Sequence, residues 1–451
     1  MIKNIIDVPV PEKFKRSDVY ELIKDTGELC VVEGKILIHD YNDTWPIVTE
    51  GEAKLLIRTM FKYKEWQSVL DDKMLASIIK SFKTDPDLQR SLKDFRHEEL
   101  IKVNNGIWNI SKGEIVEVNN QAFNRALDVT LTKELPKESE VFISFCNKVF
   151  SEDTVNEKKQ VLYEMIGYCV SETPPTKVAN FLIGPANCGK SVMLKFIQEI
   201  IGEKHVSNVP LSAFAKEFNV SEMSEKVINI TGEVPSGPIP GGALDIFKGI
   251  TGGDRMQINK KYGDPTSQTL DLKLLVAGNS LPIFKKVDGT DSLVERLHIL
   301  VFDNVVDEQK RDFQLIDKLW DERDVIVRYA LKAVKEYEER GRYFLKLEDE
   351  MNMLQSLRQV ANPIAHFMKE KIHKSETSEV HISDVYEAYQ KFALAEALPD
   401  LDRTTFRNLM TSQSGVRIGK TKKRLGKKSP QVCFAGIELK NMYDNDQETE
   451  M

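Results

Sequence analysis

Apolar and polar positions divide the chain into stretches of different period. Residues 103–113, Val-Asn-Asn-Gly-Ile-Trp-Asn-Ile-Ser-Lys-Gly, read as strands joined by tight turns at the Asn-Gly and Lys-Gly pairs. The period then lengthens to that of a helix. Val141, Phe142, Phe145 and Val149 share one face, and Val161, Leu162, Met165, Ile166 and Cys169 share another. From 175 to 345, apolar runs at 178–183, 227–231, 272–277 and 297–302 alternate with helical runs, the pattern of an α/β sheet domain. A helical linker is expected over 348–373, then helices over 383–397 and 402–413 and strands over 415–418 and 432–439.

These periods predict an order of parts. Residues 1–100 form a mixed α+β region without a recognisable motif, and 101–174 form a helical region leading into the next domain. Residues 175–345 form an α/β sheet domain, 346–374 a helical linker, 375–443 a C-terminal domain of helices and strands, and 444–451 an acidic tail. A chain of 451 residues is long enough for several cores. With 41% hydrophobic and 29% charged residues it is neither a disordered chain nor a membrane one, and no apolar run approaches the roughly 18–20 residues of a span. The N-terminus lacks the apolar block of a signal peptide, so a cytoplasmic protein with no membrane partner is expected. Five scattered cysteines without a CxxC pair predict neither a disulfide framework nor structural zinc. The net charge of −7 argues against a protein that coats nucleic acid nonspecifically, and confines any such binding to local basic clusters.

The chemistry is carried first by Gly184-Pro185-Ala186-Asn187-Cys188-Gly189-Lys190-Ser191. A phosphate chain needs close backbone N–H groups, the positive end of a helix, and a lysine reaching its terminal phosphates. Gly184 and Gly189 let the backbone wrap the anion, Lys190 meets the β- and γ-phosphates, and Ser191 binds Mg2+. The expected ligand is ATP. Glu233, at the tip of the strand ending Thr231-Gly232, supplies the acid for magnesium and for the attacking water. Asn279, after the next strand, can bond the γ-phosphate or that water, and Arg296 places a guanidinium at a strand start, within reach of a neighbouring subunit's nucleotide. Between them, Thr251-Gly-Gly-Asp254 leads into a predicted hairpin with Lys260 and Lys261 near its tip.

This order resembles the superfamily 3 helicases, AAA+-like ring ATPases, particularly the poxvirus and satellite-phage primase-helicase type. The matching residues are 184–191, Thr231-Gly232-Glu233, Lys248 with Thr251-Gly-Gly-Asp254, Asn279-Ser-Leu-Pro282 and Arg296-Leu-His-Ile-Leu-Val-Phe302. Similar, too, are Asn105-Gly106-Ile-Trp and Tyr163-Glu-Met-Ile-Gly167-Tyr168 upstream. The resemblance implies a hexameric ring translocating 3′→5′ on single-stranded DNA. It further implies Lys190, Ser191 and Glu233 on one side of the nucleotide, Asn279 as γ-phosphate sensor, Arg296 as a finger offered in trans, and Lys260 and Lys261 on the DNA-gripping hairpin. Two departures stand out. Glu295 occupies the place where the family often has a first arginine, and the residues before 100 lack the acidic pattern of a primase.

Near the C-terminus Arg417, Lys420, Lys422, Lys423, Arg424, Lys427 and Lys428 lie between two strand-like pieces. Helices followed by such a two-stranded basic wing resemble a winged-helix domain. Its groove-reading helix would carry Arg403, Thr404, Thr405, Arg407 and Asn408. The whole predicts a replication initiator and ATP-dependent DNA helicase of a phage, plasmid or mobile island, acting on origin duplex and on single strands. Two other readings stay open: a nucleotide-switched DNA-binding regulator, and a motor on double-stranded DNA.

Overall fold

The computed structural model describes residues 4–440 except 41, 119–120, 217, 235–238, 260–264, 283–289, 397, 399 and 422–430. The chain forms two compact units. The first comprises Met1–Gly237, Asp245–Pro282 and His298–Leu345, and the second comprises Pro238–Leu244, Ile283–Leu297 and Lys346–Met451.

In the first unit, the N-terminal residues pack helices Arg16–Lys24, Glu50–Met60 and Asp72–Phe82 against a sheet ordered Ile47–Val48, Lys35–Ile38, Leu29–Val32, Gln89–Arg90. Val19, Ile23, Ile57, Ile78 and Phe82 close that core, with the Trp66 indole N–H donating to the Val8 carbonyl at 2.7 Å. Next comes the antiparallel sheet Leu100–Val103, Gly106–Asn109, Glu114–Val116, whose turns fall at the Asn-Gly and Lys-Gly pairs.

The central sheet has five strands, ordered Leu297–Val301, Ala179–Ile183, Lys273–Gly278, Ile228–Thr231, Val206–Ser207. Numbered by their sequence order among themselves, this is 5-1-4-3-2, and the pairs from Ala179–Ile183 to Val206–Ser207 are parallel. Four of these strands match the expected runs to within a residue or two. The fifth, Val206–Ser207, is too short to show a period. Strands of a parallel sheet are covered on both faces and therefore read as mainly apolar runs; 179–183 and 273–278 are buried throughout, with Asn180 and Lys273 their polar members.

Helix Val155–Val170 packs among the helices around the sheet. Every residue from Val161 to Val170 is buried, as in a helix enclosed by protein on all sides. It packs against helix Arg323–Glu339 with backbone approach at Gly167. A Cβ there would collide with the Ala330 carbonyl oxygen and lie 2.6 Å from Val334 Cγ2. Its C-terminal carbonyls are capped from the sheet: buried Lys273 donates to Tyr168 O and, at 2.9 Å, to Ser171 O, with the ammonium 4.5 Å from the Tyr168 ring centroid.

The second unit departs from the expected pattern in two places. The helical linker expected over 348–373 is two helices, Glu348–Ala361 and Pro363–Lys371, because Pro363 has no N–H to continue the ladder and Asn362 caps the restart, accepting from Ala365 N at 3.1 Å. An unforeseen strand, Ile372–His381, follows. Helices Ile382–Ala395 and Arg403–Thr411 and strands Arg417–Thr421 and Gln431–Leu439 complete an antiparallel sheet with Gln431–Leu439 in the middle. Ile364, Phe367, Val385, Tyr389, Phe406 and Phe434 form its core.

Two consequences are testable. Gly167→Val should cost at least about 3 kcal/mol, because the obstruction is main chain that cannot turn aside; chemical denaturation measures it. Burial pushes the Lys273 ammonium down from 10.5 to about 7. The folded value lies below the unfolded one, so between pH 7 and 10.5 the unfolded chain holds the extra proton and stability rises with pH. The stability difference between wild type and Lys273→Met should therefore be flat in acid and move in favour of wild type above neutrality. A difference independent of pH would contradict this.

Candidate nucleotide site

The segment 184–191 joins strand Ala179–Ile183 to helix Lys190–Ile201. Its entry is held between neighbouring strands: Gly184 N donates to Gly278 O at 3.2 Å and Phe302 N to Ile183 O at 2.7 Å. A Cβ on Gly184 would collide with the Phe302 carbonyl oxygen. Gly189, the N-cap, sits at φ +93°, and a Cβ there would lie 2.8 Å from Phe145 Cε2. Both glycines are thus required by backbone that must pass close to other atoms. Asn187 also adopts a positive φ of 61°, and its carbonyl accepts from Val306 N at 3.0 Å.

Lys190 is 7% exposed. Its Nζ donates to Gly184 O at 2.7 Å and Pro185 O at 2.6 Å, and lies 3.3 Å from Cys188 Sγ and 3.4 Å from Asn279 Oδ1. Among the described residues none of these partners is a carboxylate. Ser191 is exposed on the helix's first turn, and Pro185, Ala186 and Asn187 are exposed while Cys188 is buried. All five cysteines are free and buried.

The structure brings Lys190 and Asn279 together because Asn279 follows Lys273–Gly278, the strand paired with Ala179–Ile183. On its other side that strand pairs with Ile228–Thr231, which ends at Gly232-Glu233. Glu233 is exposed there, and the Thr231 hydroxyl beside it is buried without a partner among the described residues. The loop, Asn279 and Glu233 therefore stand at the carboxyl ends of three adjacent parallel strands, where open α/β sheets bind ligands. Arg296 falls in the second unit. Its Nη1 donates to Ser292 O at 2.5 Å and its backbone N to Leu293 O at 2.8 Å.

The passage Thr251–Asp254 is a helix terminator. Helix Gly241–Gly252 ends as Gly253 turns to φ +69°, Asp254 N bonds Gly249 O at 2.9 Å, and the buried Thr251 hydroxyl donates to Phe247 O at 2.8 Å. It delivers the chain into the hairpin Arg255–Ile258 with Thr266–Thr269. Lys260 and Lys261 lie outside the described residues.

One feature has no signal in sequence. A cleft of about 470 Å3 opens beside the loop, bounded by Asn187, Gly189, Ser191 and Val192. Its apolar side comes from Phe145 and Val149 on helix Glu140–Val149 and from Phe313 and Ile316, with Lys148, Lys195, Lys310 and Arg311 at its edge. These residues are far apart in the chain, so only the fold assembles them.

In the second unit, Arg403, Thr404, Arg407 and Asn408 are exposed on helix Arg403–Thr411, whose Phe406 and Met410 are buried. Asp402 caps that helix, accepting from Thr404 N and Thr405 N, and Arg403 Nη2 donates to Ser383 Oγ at 2.7 Å. Lys420 is part of strand Arg417–Thr421, whereas Lys422, Lys423, Arg424, Lys427 and Lys428 lie outside the described residues. Among the described residues no helix is long and apolar enough to cross a membrane.

Comparison with known proteins finds a matching family model, a viral relative and solved structures of the same fold. Residues 182–296, from the loop's strand to Arg296, match a family model described as a family of unknown function (DUF5906). "Putative helicase 121R" of Invertebrate iridescent virus 3 is 22% identical over 334 residues, which cover 65% of this chain and 34% of that protein. The chain thus corresponds to about a third of its viral relative. Two solved structures of the NrS-1 C-terminal region share the fold. The apo form has TM-score 0.55 at 13% identity, covering 95% of this chain and all of that one. The A-form apo structure has TM-score 0.53 at 14% identity, covering 94% of this chain and all of that one.

Proposed function

We propose that this chain is an ATP-dependent DNA helicase of the superfamily 3 type, working as a hexameric ring and initiating replication of a mobile genetic element. The observation that carries the reading is Lys190: a buried ammonium among neutral acceptors, in a glycine-bounded loop at the carboxyl end of a 5-1-4-3-2 sheet. A cation so placed gains most from an anionic ligand, and a loop opening a helix presents its free N–H groups to the same ligand. The likeness to a protein named as a viral helicase supports the choice of reaction.

In this reading Lys190 leaves its carbonyl partners to meet the β- and γ-phosphates, and Asn279, 3.4 Å from it, orients the γ-phosphate or the attacking water. The exposed oxygens of Ser191 and Glu233 suit a hard cation that keeps several waters, so these two would hold Mg2+. When bound, magnesium neutralises charge on the phosphate oxygens. Glu233 also accepts a proton from the water. Arg296 exchanges its bond to Ser292 O for the γ-phosphate of a neighbouring subunit. Lys260 and Lys261 grip the single strand, and 3′→5′ movement follows from the family resemblance.

The C-terminal unit supplies duplex binding. Its order of helix, strand, helix, helix, strand, strand, with the last strand central, supports a winged helix. Arg403 and Arg407 then face the groove, and the cations of Lys420, Lys422, Lys423, Arg424, Lys427 and Lys428 meet phosphates.

A strand-displacement assay with 3′- and 5′-tailed duplexes tests the reaction. Wild type with ATP should open the 3′-tailed substrate, and Lys190→Ala should abolish both unwinding and hydrolysis. Hydrolysis without displacement on either substrate favours the switched regulator, and movement along blunt duplex without strand separation favours the double-stranded motor. For the second unit, Arg407→Ala should weaken duplex binding about 5- to 150-fold at fixed salt while basal hydrolysis stays unchanged. Unaltered binding would remove that helix from the interface.

A further inference from the structure

The phosphate loop accounts for one end of a nucleotide, and the cleft beside it is unused by that account. The cleft starts at the first turn of helix Lys190–Ile201, where Ser191 and Val192 line it, and continues past Lys195 one turn on. Its far wall is apolar. Phe145 and Val149 are buried beneath it, and Ile316 flanks it from helix Leu315–Asp321. A volume of about 470 Å3 is in the range of small-molecule sites.

Phe313 is the anomaly. It is 90% exposed, the most exposed large apolar side chain among the described residues, and it borders this cleft. Its segment is tied to the loop, since Val306 N donates to Asn187 O and Arg311 Nε donates to Val306 O at 3.3 Å. The adjacent Asp312 carboxylate is occupied, accepting from Lys318 Nζ at 2.6 Å and Gln314 N at 3.0 Å. Lys195 pairs with Glu199 at 3.7 Å and Lys310 with Asp307 at 3.3 Å. With Lys148 and Arg311 also in the lining, these four cations face the one lining carboxylate, Asp312, and favour a ligand with negative charge, while the aromatic and aliphatic walls favour one with a flat apolar part. A nucleotide has both.

We propose that the cleft receives the nucleobase of the bound triphosphate, with Phe313 stacking on the base from the solvent side and Phe145 and Val149 forming the floor. This rests on the phosphate-loop reading above. Phe313 is then a binding residue whose exposed ring is covered only when a base is present. The base, by joining loop and Phe313 segment, ties the residues after strand Leu297–Val301 to the loop through a second contact besides Val306–Asn187.

Inorganic tripolyphosphate carries the phosphates without the base, so it separates this inference from the reading beneath it. With full-length protein, Phe313→Ala should weaken ATP binding about 5- to 150-fold, the span for losing one base–aromatic stack, and leave tripolyphosphate binding unchanged. Phe313→Tyr should restore ATP binding, and Phe313→Trp should lose fluorescence on adding ATP but not on adding tripolyphosphate. Equal weakening of both ligands by Phe313→Ala, or of neither, overturns the base site. If ATP binding is unchanged while the variant assembles into smaller particles, Phe313 is a subunit contact and the inference is likewise wrong. Failure of wild type to bind either ligand overturns the phosphate loop itself and the base site with it, whereas tripolyphosphate binding that is lost in Lys190→Ala keeps the loop reading whatever Phe313 does.

Discussion

A buried positive charge whose partners among the described residues are all neutral is the constraint around which the candidate site is built. Taking an ammonium out of water is costly, and two carbonyls, a thiol sulfur and a side-chain amide return only part of that cost. The surroundings must therefore hold Lys190 tightly. Gly184 can lie against Phe302 O only because it lacks a side chain, and Gly189 can start the helix against Phe145 for the same reason. A larger residue at either place would move the carbonyls away from the ammonium. The loop's sequence is thus dictated twice, by the space around its backbone and by the charge that the backbone has to surround.

That loop is only as rigid as the strands that carry it, and the strands are fastened at both ends. At one end of Lys273–Gly278 stands Asn279, against Lys190; at the other stands Lys273, against the last carbonyls of helix Val155–Val170. The helix in turn is locked to Arg323–Glu339 through Gly167, and its Lys158 pairs with Asp303 at 2.7 Å just beyond the end of strand Leu297–Val301. Ser151 N and the backbone of Val149 bond the same corner, Asp303 and Asn304. The helices before the loop and the strand after it are therefore joined next to Phe302, the residue whose carbonyl excludes a side chain at 184. A displacement of that strand would be felt at the loop through Gly184 and through the Val306–Asn187 bond.

What could be read in advance follows from the range of the interactions involved. The loop, its strand and its helix were legible because the close backbone passages at Gly184 and Gly189 fall within one consecutive motif, and the buried parallel strands because enclosure on both faces leaves them mainly apolar, with Asn180, Asn229, Thr231 and Lys273 as exceptions. Strand Ile372–His381 was not legible. It lies at a sheet edge with only Ile372 buried, so no alternation marks it, and a bulge between Lys374 and Glu379 breaks its register. The run 348–373 kept a helical period across Asn362-Pro363, and only the cap geometry shows that one helix ends and another begins there. Thr251-Gly-Gly-Asp254 was visible as a motif, yet its local work is to stop a helix and turn the chain into a hairpin. The cleft at Phe313 was out of reach because Phe313 and Ile316 lie more than a hundred positions beyond the walls they face, at Phe145, Val149 and Val192.

The acidic balance of the chain gives the C-terminal helix its significance. With a net charge of −7, a random face of this protein meets a nucleic acid backbone with repulsion, so attraction has to be local and its place sets the orientation of binding. Helix Arg403–Thr411 divides its residues accordingly. Phe406 and Met410, four apart, point into the core, while Arg403 and Arg407, also four apart, share an outward face with Asn408. Asp402 forms no ion pair with those arginines among the described residues; its oxygens accept from Thr404 N, Thr405 N and the Thr405 hydroxyl and cap the helix. Arg403 is steered by Ser383, whereas Arg407 has no carboxylate partner among the described residues. The two arginines thus differ in freedom. Arg403 is held over the start of helix Ile382–Ala395, and Arg407 is exposed one turn further along.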